Sequence, residues 1–219
     1  MADSGREGND EKVLTEKRMS RAVLVCLAVS ALALALAPLL MPGSYSPIAH
    51  TTSESAAQGV DGAWLARLGL GAFGVAVVIL AAGRSWSGRP ARAAHFVFGM
   101  ALLLTATASA RPWIPEVPFD LLEDQMHSFA ATAMGFAFAF GVVAVGIGNS
   151  RAIGRVRLWD IVAVLASVIV PIGMANLAGI AGLLQRVMFA VAYVWYGIEA
   201  NRANRLAPRL PGQVEGVST

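Results

Sequence analysis

The residues of this chain best suited to chemistry lie in the run DLLEDQMH, which holds Asp120, Glu123, Asp124 and His127. Their spacing places all four on one face of a helix. A carboxylate beside an imidazole favours the protonated ring. The spacings D-x-x-H and E-x-x-x-H also let one helix offer two ligands to a metal. An earlier segment, SPIAHTTSES, adds His50, Ser53, Glu54 and Ser55. If His50, Asp124 and His127 meet, they form a three-ligand site with an open position, as metal-assisted hydrolysis requires. Ser53 beside a histidine is the alternative, a nucleophile and base for acyl transfer. The plainer readings are a capped helix start whose acids face the positive end of the dipole, and a hydroxyl-capped turn leading into a short helix.

The elements that must position these residues follow from composition. Hydrophobic residues make up 56% of the 219, charged residues 14%, and mean hydropathy is +0.61. A water-soluble fold would lack polar surface at that balance. The apolar residues fall in blocks of about twenty, the length that spans hydrocarbon as a helix, and lipid requires each backbone group to be satisfied within its segment. The expected fold is therefore all-α: a bundle of six transmembrane helices at about 22–41, 62–83, 93–110, 121–148, 161–178 and 181–200, in three consecutive hairpins. Disordered tails are expected over 1–20 and 201–219. Asp61 and Asp160 suit N-caps, and Asp120 with Glu123 matches a capping pattern.

Every Lys and Arg except Arg67, Arg111 and Arg186 lies in the first segment or in the connections after the second, fourth and sixth blocks. Basic loops stay cytoplasmic, so both termini are expected inside a multi-pass plasma-membrane protein. Trp64 and Trp113 would mark the outer interface, and Trp86, Trp159 and Trp195 the inner one. The pI near 9.5 then reflects attraction to anionic lipid, with no nucleic acid as partner. The single cysteine, Cys26, lies in the first apolar block and excludes an intramolecular disulfide.

In this orientation the candidate residues share the outer side. Arg67 and Arg186 sit just inside apolar blocks and are expected to reach Glu54, Asp120, Glu123 or Asp124, or to snorkel to phosphates. His95 reads as an interfacial residue at the opposite side. Ala133, Ala137 and Gly141, with Gly71, Ala72 and Gly74, suit close helix packing. Phe136, Phe138 and Phe140 suit packing or lipid contact. The scarcity of polar residues at the helix centres argues against ion or proton transport.

Between the first two blocks the chain reads Gly43-Ser-Tyr-Ser-Pro-Ile-Ala-His-Thr-Thr-Ser-Glu, and His127 opens the fourth. This arrangement resembles the membrane family called domain of unknown function 998, in which a Tyr-x-Pro segment and a Ser-Glu pair follow the first helix and a histidine opens a later one. Ser55 stands where that family commonly has an apolar residue. The resemblance implies an integral membrane protein and no particular activity. It adds weight to Tyr45, Pro47, Ser53, Glu54 and His127.

The function expected is a polar site at the outer face for a small ligand, a lipid headgroup or a divalent metal. Tyr45, His50, Glu54, Arg67 and Arg186 are the binding candidates, and the bilayer is the surrounding partner. As a metal- or His-dependent hydrolase, the protein would use His127, Asp124, Glu123 and Ser53. A small transporter and a non-catalytic accessory subunit are the other expectations.

Overall fold

The computed structural model describes residues 4–83 and 88–206. Arg84 and Trp86, expected at the inner interface, and the tail beyond Leu206 lie outside the described residues. The chain is all-helical, with no strand among the described residues: α1 (Ser4–Leu36), a short α2 (Thr52–Ser55), α3 (Ala63–Ala82), α4 (Arg89–Thr107), α5 (Leu121–Ile153), α6 (Leu158–Asn176) and α7 (Ala181–Leu206). Single 3-10 turns follow α1 and precede α7. Among the described residues, five segments are long and apolar enough to cross a membrane: Val13–Leu40, Ala63–Ala82, Leu121–Ala152, Leu158–Asn176 and Ala178–Arg202.

The long helices pack in chain order, and α7 returns against α1. One end of this ring, the acidic end, carries the connections 41–62 and 108–120, which together hold four acids and one arginine. The other, the basic end, carries the arginine-rich connection between α5 and α6. The core between them is aromatic. Phe73 stacks on Tyr193 at 4.5 Å, and Phe98 and Phe138 both lie against Tyr196. Phe138 is fully buried while Phe136 and Phe140 are exposed, so the three phenylalanines divide between core and surface.

Several boundaries differ from expectation. The segment expected as a disordered tail is helical from Ser4. Its Glu, Lys, Arg and Leu residues favour helix, and extending the apolar helix requires no new nucleus. Val13 and Ser20 are buried there. Asp61 does not cap α3. That place belongs to Gly62 at φ +82°, pressed so near Leu40 that a Cβ would lie 2.4 Å from its carbonyl oxygen. Asp160 is likewise not a cap. Arg157 precedes α6, and Asp160 lies in its first turn.

Two close approaches set the spacing of the helices. Gly74 on α3 lies against Gly99 and Leu103 of α4. On α5, a Cβ at Gly141 would stand 2.6 Å from His95 Cε1 and 2.7 Å from Nε2. His95 has no room to retreat. It is fully buried, stacked on Trp195 at 4.9 Å and hydrogen-bonded through Nδ1 to the Tyr196 hydroxyl at 2.8 Å. The expected interfacial role of His95 is therefore corrected, because Gly141 opens a slot in the core that its ring fills. Gly141→Ala should lower stability by about 1–3 kcal/mol, measured by unfolding in detergent. Adding His95→Ala should recover part of the loss.

Candidate functional site

The four residues Asp120, Glu123, Asp124 and His127 do share one face of α5, and that face latches backbone. Asp120 Oδ1 accepts from Glu123 N at 3.0 Å and caps the helix. Glu123 turns away from the reciprocal capping bond, and its Oε1 accepts from Ser109 N at 2.6 Å. Asp124 Oδ1 accepts from Arg111 N at 2.8 Å, and His127 Nδ1 donates to Ala108 O at 2.8 Å. Three side chains thus hold three peptide groups of the segment that follows α4. Gln58 completes the seam. Its Nε2 donates to Ser109 O and Asp120 O, and its Oε1 accepts from Asp120 N.

The connection after α1 is held just as closely. Thr51 and Glu54 form a full capping box around α2: Thr51 Oγ1 accepts from Glu54 N, and Glu54 Oε2 accepts from Thr51 N. Arg67 donates to Ala56 O and Ala57 O. Arg186 reaches Pro47 O at 2.6 Å, His50 O at 3.0 Å and the Tyr45 hydroxyl at 2.6 Å. The expected ion pairs between these arginines and the acids do not form, because carbonyl oxygens lie nearer the guanidinium groups and the acids are engaged by amides. The start of α7 docks directly on this connection through Gly182 N to Ala49 O and Leu183 N to Ile48 O. Only glycine fits at 182, where a Cβ would lie 2.1 Å from His50 O.

His50 and His127 serve different parts of this cap. His50 Nδ1 accepts from Ser46 N, and its ring stacks on Trp113 at 5.2 Å, with Tyr45 edge-on to Trp113 at 5.1 Å. His127 is buried beneath Ala108. Among the described residues no three His, Cys, Asp or Glu side chains gather as a metal would require, so the grouping of His50, Asp124 and His127 is not assembled. Each is held by local backbone instead. No hydrogen bond joins Ser53 to a histidine among the described residues. His127 Nε2 and Ser109 Oγ are buried polar atoms without a hydrogen-bond partner there.

A cleft of about 500 Å³ opens between α2 and the 110–119 segment, within the size range of small-molecule sites. Ser53, Glu54, Arg111, Trp113 and Asp124 supply its polar and aromatic walls, and Ile114, Val117 and Phe119 are among its apolar ones. Two carboxylates against one arginine leave the lining acidic. Tyr45 and His50 pack on Trp113, and Arg186 donates to the Tyr45 hydroxyl.

A second polar cluster, at the basic end, is absent from the candidates read from sequence. Arg157 forks Nε and Nη2 onto Asp160, at 2.9 and 2.7 Å, and reaches Glu199 through Nη1 at 2.5 Å. Trp195 Nε1 donates to Asp160 Oδ1, and Arg202 joins Glu199 and Asn149. Trp195 is thus a core residue, not an interface marker. Burial alone would lower the Arg157 pKa, but hydrogen bonds and charges from Asp160 and Glu199 outweigh it and hold the group above an ordinary arginine. The sequence signal that could have found this cluster is Glu199, an acid at the end of an apolar block.

Compared with known families, residues 16–200 match the one described as protein of unknown function (DUF998). No curated protein and no solved structure matches the chain.

Proposed function

The chain belongs to the DUF998 family, and from that premise we propose that it is a plasma-membrane protein of six crossings whose outer cap binds an amphiphile through a cationic, amine-bearing headgroup. The sixth crossing is α4, which packs along α3 and α5. Its first-turn Arg89 and Arg92 lower its hydropathy and belong at the cytoplasmic interface. The distribution of Lys and Arg supports placing both termini and the basic end inside, so the cleft faces outward.

The observation that carries the binding reading is the joint presence of Glu54, Asp124 and Trp113 in one cleft. Two carboxylates and an aromatic face attract an ammonium group. Arg111 lies in the same lining to receive a phosphate, and the apolar wall suits the start of a chain. A metal reading lacks a third ligand there. An acyl-transfer reading lacks a bond between Ser53 and a histidine.

The test is binding of a short-chain phosphatidylethanolamine to the purified protein. Glu54→Gln with Asp124→Asn keeps both acceptors for the backbone amides and removes both charges. Charge-assisted hydrogen bonds contribute about 1.5–3 kcal/mol each, so affinity should fall at least tenfold, while the melting temperature falls only modestly because neutral acceptors still serve both amides. Unchanged affinity, or equal affinity for the matching phosphatidylglycerol, would overturn the reading.

A further inference from the structure

We infer that the basic end holds an anionic phospholipid, with an acyl chain in a groove between α5 and α6 and its phosphate at Arg151. The groove has a volume of about 460 Å³. Its deep part is aliphatic, lined by Val142, Val143, Ile147, Val164 and Leu165, and its mouth, toward Arg151, carries the polar Ser150, Arg151 and Asp160 beside Val156 and Ile161. From Val142 to Arg151 the helical rise amounts to about 13 Å. Apolar and polar ends are therefore separated along the groove as tail and head are in a lipid. Val143, Ile147 and Leu165 remain 41%, 49% and 52% exposed, leaving an apolar wall open along the side of the bundle.

The charge at the mouth selects the headgroup. Asp160 does not repel an anion as a bare carboxylate would: Arg157 covers both its oxygens, and Trp195 donates to one of them. Glu199 is likewise neutralised by Arg157 and Arg202. Arg151 and Arg155 remain as surplus positive charge, and Arg151 is exposed at the groove mouth. A phosphate with no compensating amine fits this balance, and a zwitterionic headgroup would bring its ammonium against the arginines. A basic pocket between helices on the cytoplasmic side is where anionic lipids dock. This site lies at the opposite end from the cleft and does not depend on it.

Native mass spectrometry of the full chain from mixed micelles tests the inference, with phosphatidylglycerol and phosphatidylcholine of equal chain length as probes. The wild type should retain phosphatidylglycerol preferentially. Arg151→Gln changes an exposed residue and should reduce that retention about fivefold, as expected for one basic group near a lipid headgroup, without altering phosphatidylcholine. Gly146→Leu projects into the groove from a position where a Cβ makes only ordinary contacts with Asp160, at 3.7–3.9 Å; retention of both lipids should fall. Equal retention of the two lipids by the wild type, or no effect of Arg151→Gln, would overturn the assignment. Displacement by soluble glycerol phosphate would overturn it as well, since a free phosphate would then be the ligand.

Discussion

Replacing Arg157 by alanine should destabilise the protein by about 3–5 kcal/mol, the cost of breaking a buried ion pair from one side. Asp160 and Glu199 have side chains only 4% and 3% exposed, and Arg157 itself is 19% exposed. Without the guanidinium, Asp160 keeps the Trp195 N–H, and Glu199 keeps Arg202 at 3.3 Å. Two carboxylates then stand close together in a poorly solvated site. The loss should appear in denaturant unfolding in mixed micelles and as a sharp fall in the melting temperature. Arg157→Lys should recover less than half, because an ammonium cannot fork onto Asp160 and reach Glu199 together. Glu199→Gln in the Arg157→Ala background should return part of the stability by relieving the repulsion between the two neighbouring carboxylates. If Arg157→Ala costs less than about 1 kcal/mol, within the range of exposed pairs, the cluster is not a clamp.

Arg186→Ala should be nearly as severe, at about 2–4 kcal/mol, and its effect should be confined to the acidic end. The guanidinium satisfies carbonyls of Pro47 and His50 and the hydroxyl of Tyr45. Hydrogen bonds to a charged group contribute about 1.5–3 kcal/mol each before the neighbours relax. Amide hydrogen exchange should rise at Gly182 and Leu183, whose N–H groups bond to Ala49 and Ile48, and at Thr52, bonded to Gln185. Exchange at the basic end should not change. Phosphatidylethanolamine binding should weaken too, because Trp113 rests on His50 and Tyr45. Arg186→Lys should leave at least one of the carbonyls unserved.

The sequence made the helices legible because hydrocarbon thickness imposes a length on apolar runs. It also showed that Asp120, Glu123, Asp124 and His127 share a face, since helical periodicity is local. What those residues grip was not legible. Their partners are peptide groups at 108–111, and an N–H or C=O carries no side-chain signature. The same blindness turned Arg67 and Arg186 into expected partners of acids when their partners are carbonyls. Glu199 and Arg157 lie 42 positions apart, and no local pattern links them. Trp195 and His95 read as interfacial because each lies near the end of an apolar block. Depth along a helix is visible in sequence, but the direction a side chain faces depends on the neighbour, and here Gly141 decides it.

The docking of the 45–52 segment on the start of α7 has a consequence for biogenesis. The chain emerges from the ribosome N-terminus first, so the connection after α1 waits, partly unsatisfied, while α3 to α6 insert. Gly182, Gln185 and Arg186 arrive with the last helix and supply its missing donors and acceptors. Completion of the cleft is thereby tied to completion of the chain: a nascent protein halted before α7 carries every residue of the cleft lining without the clasp that holds α2 against it.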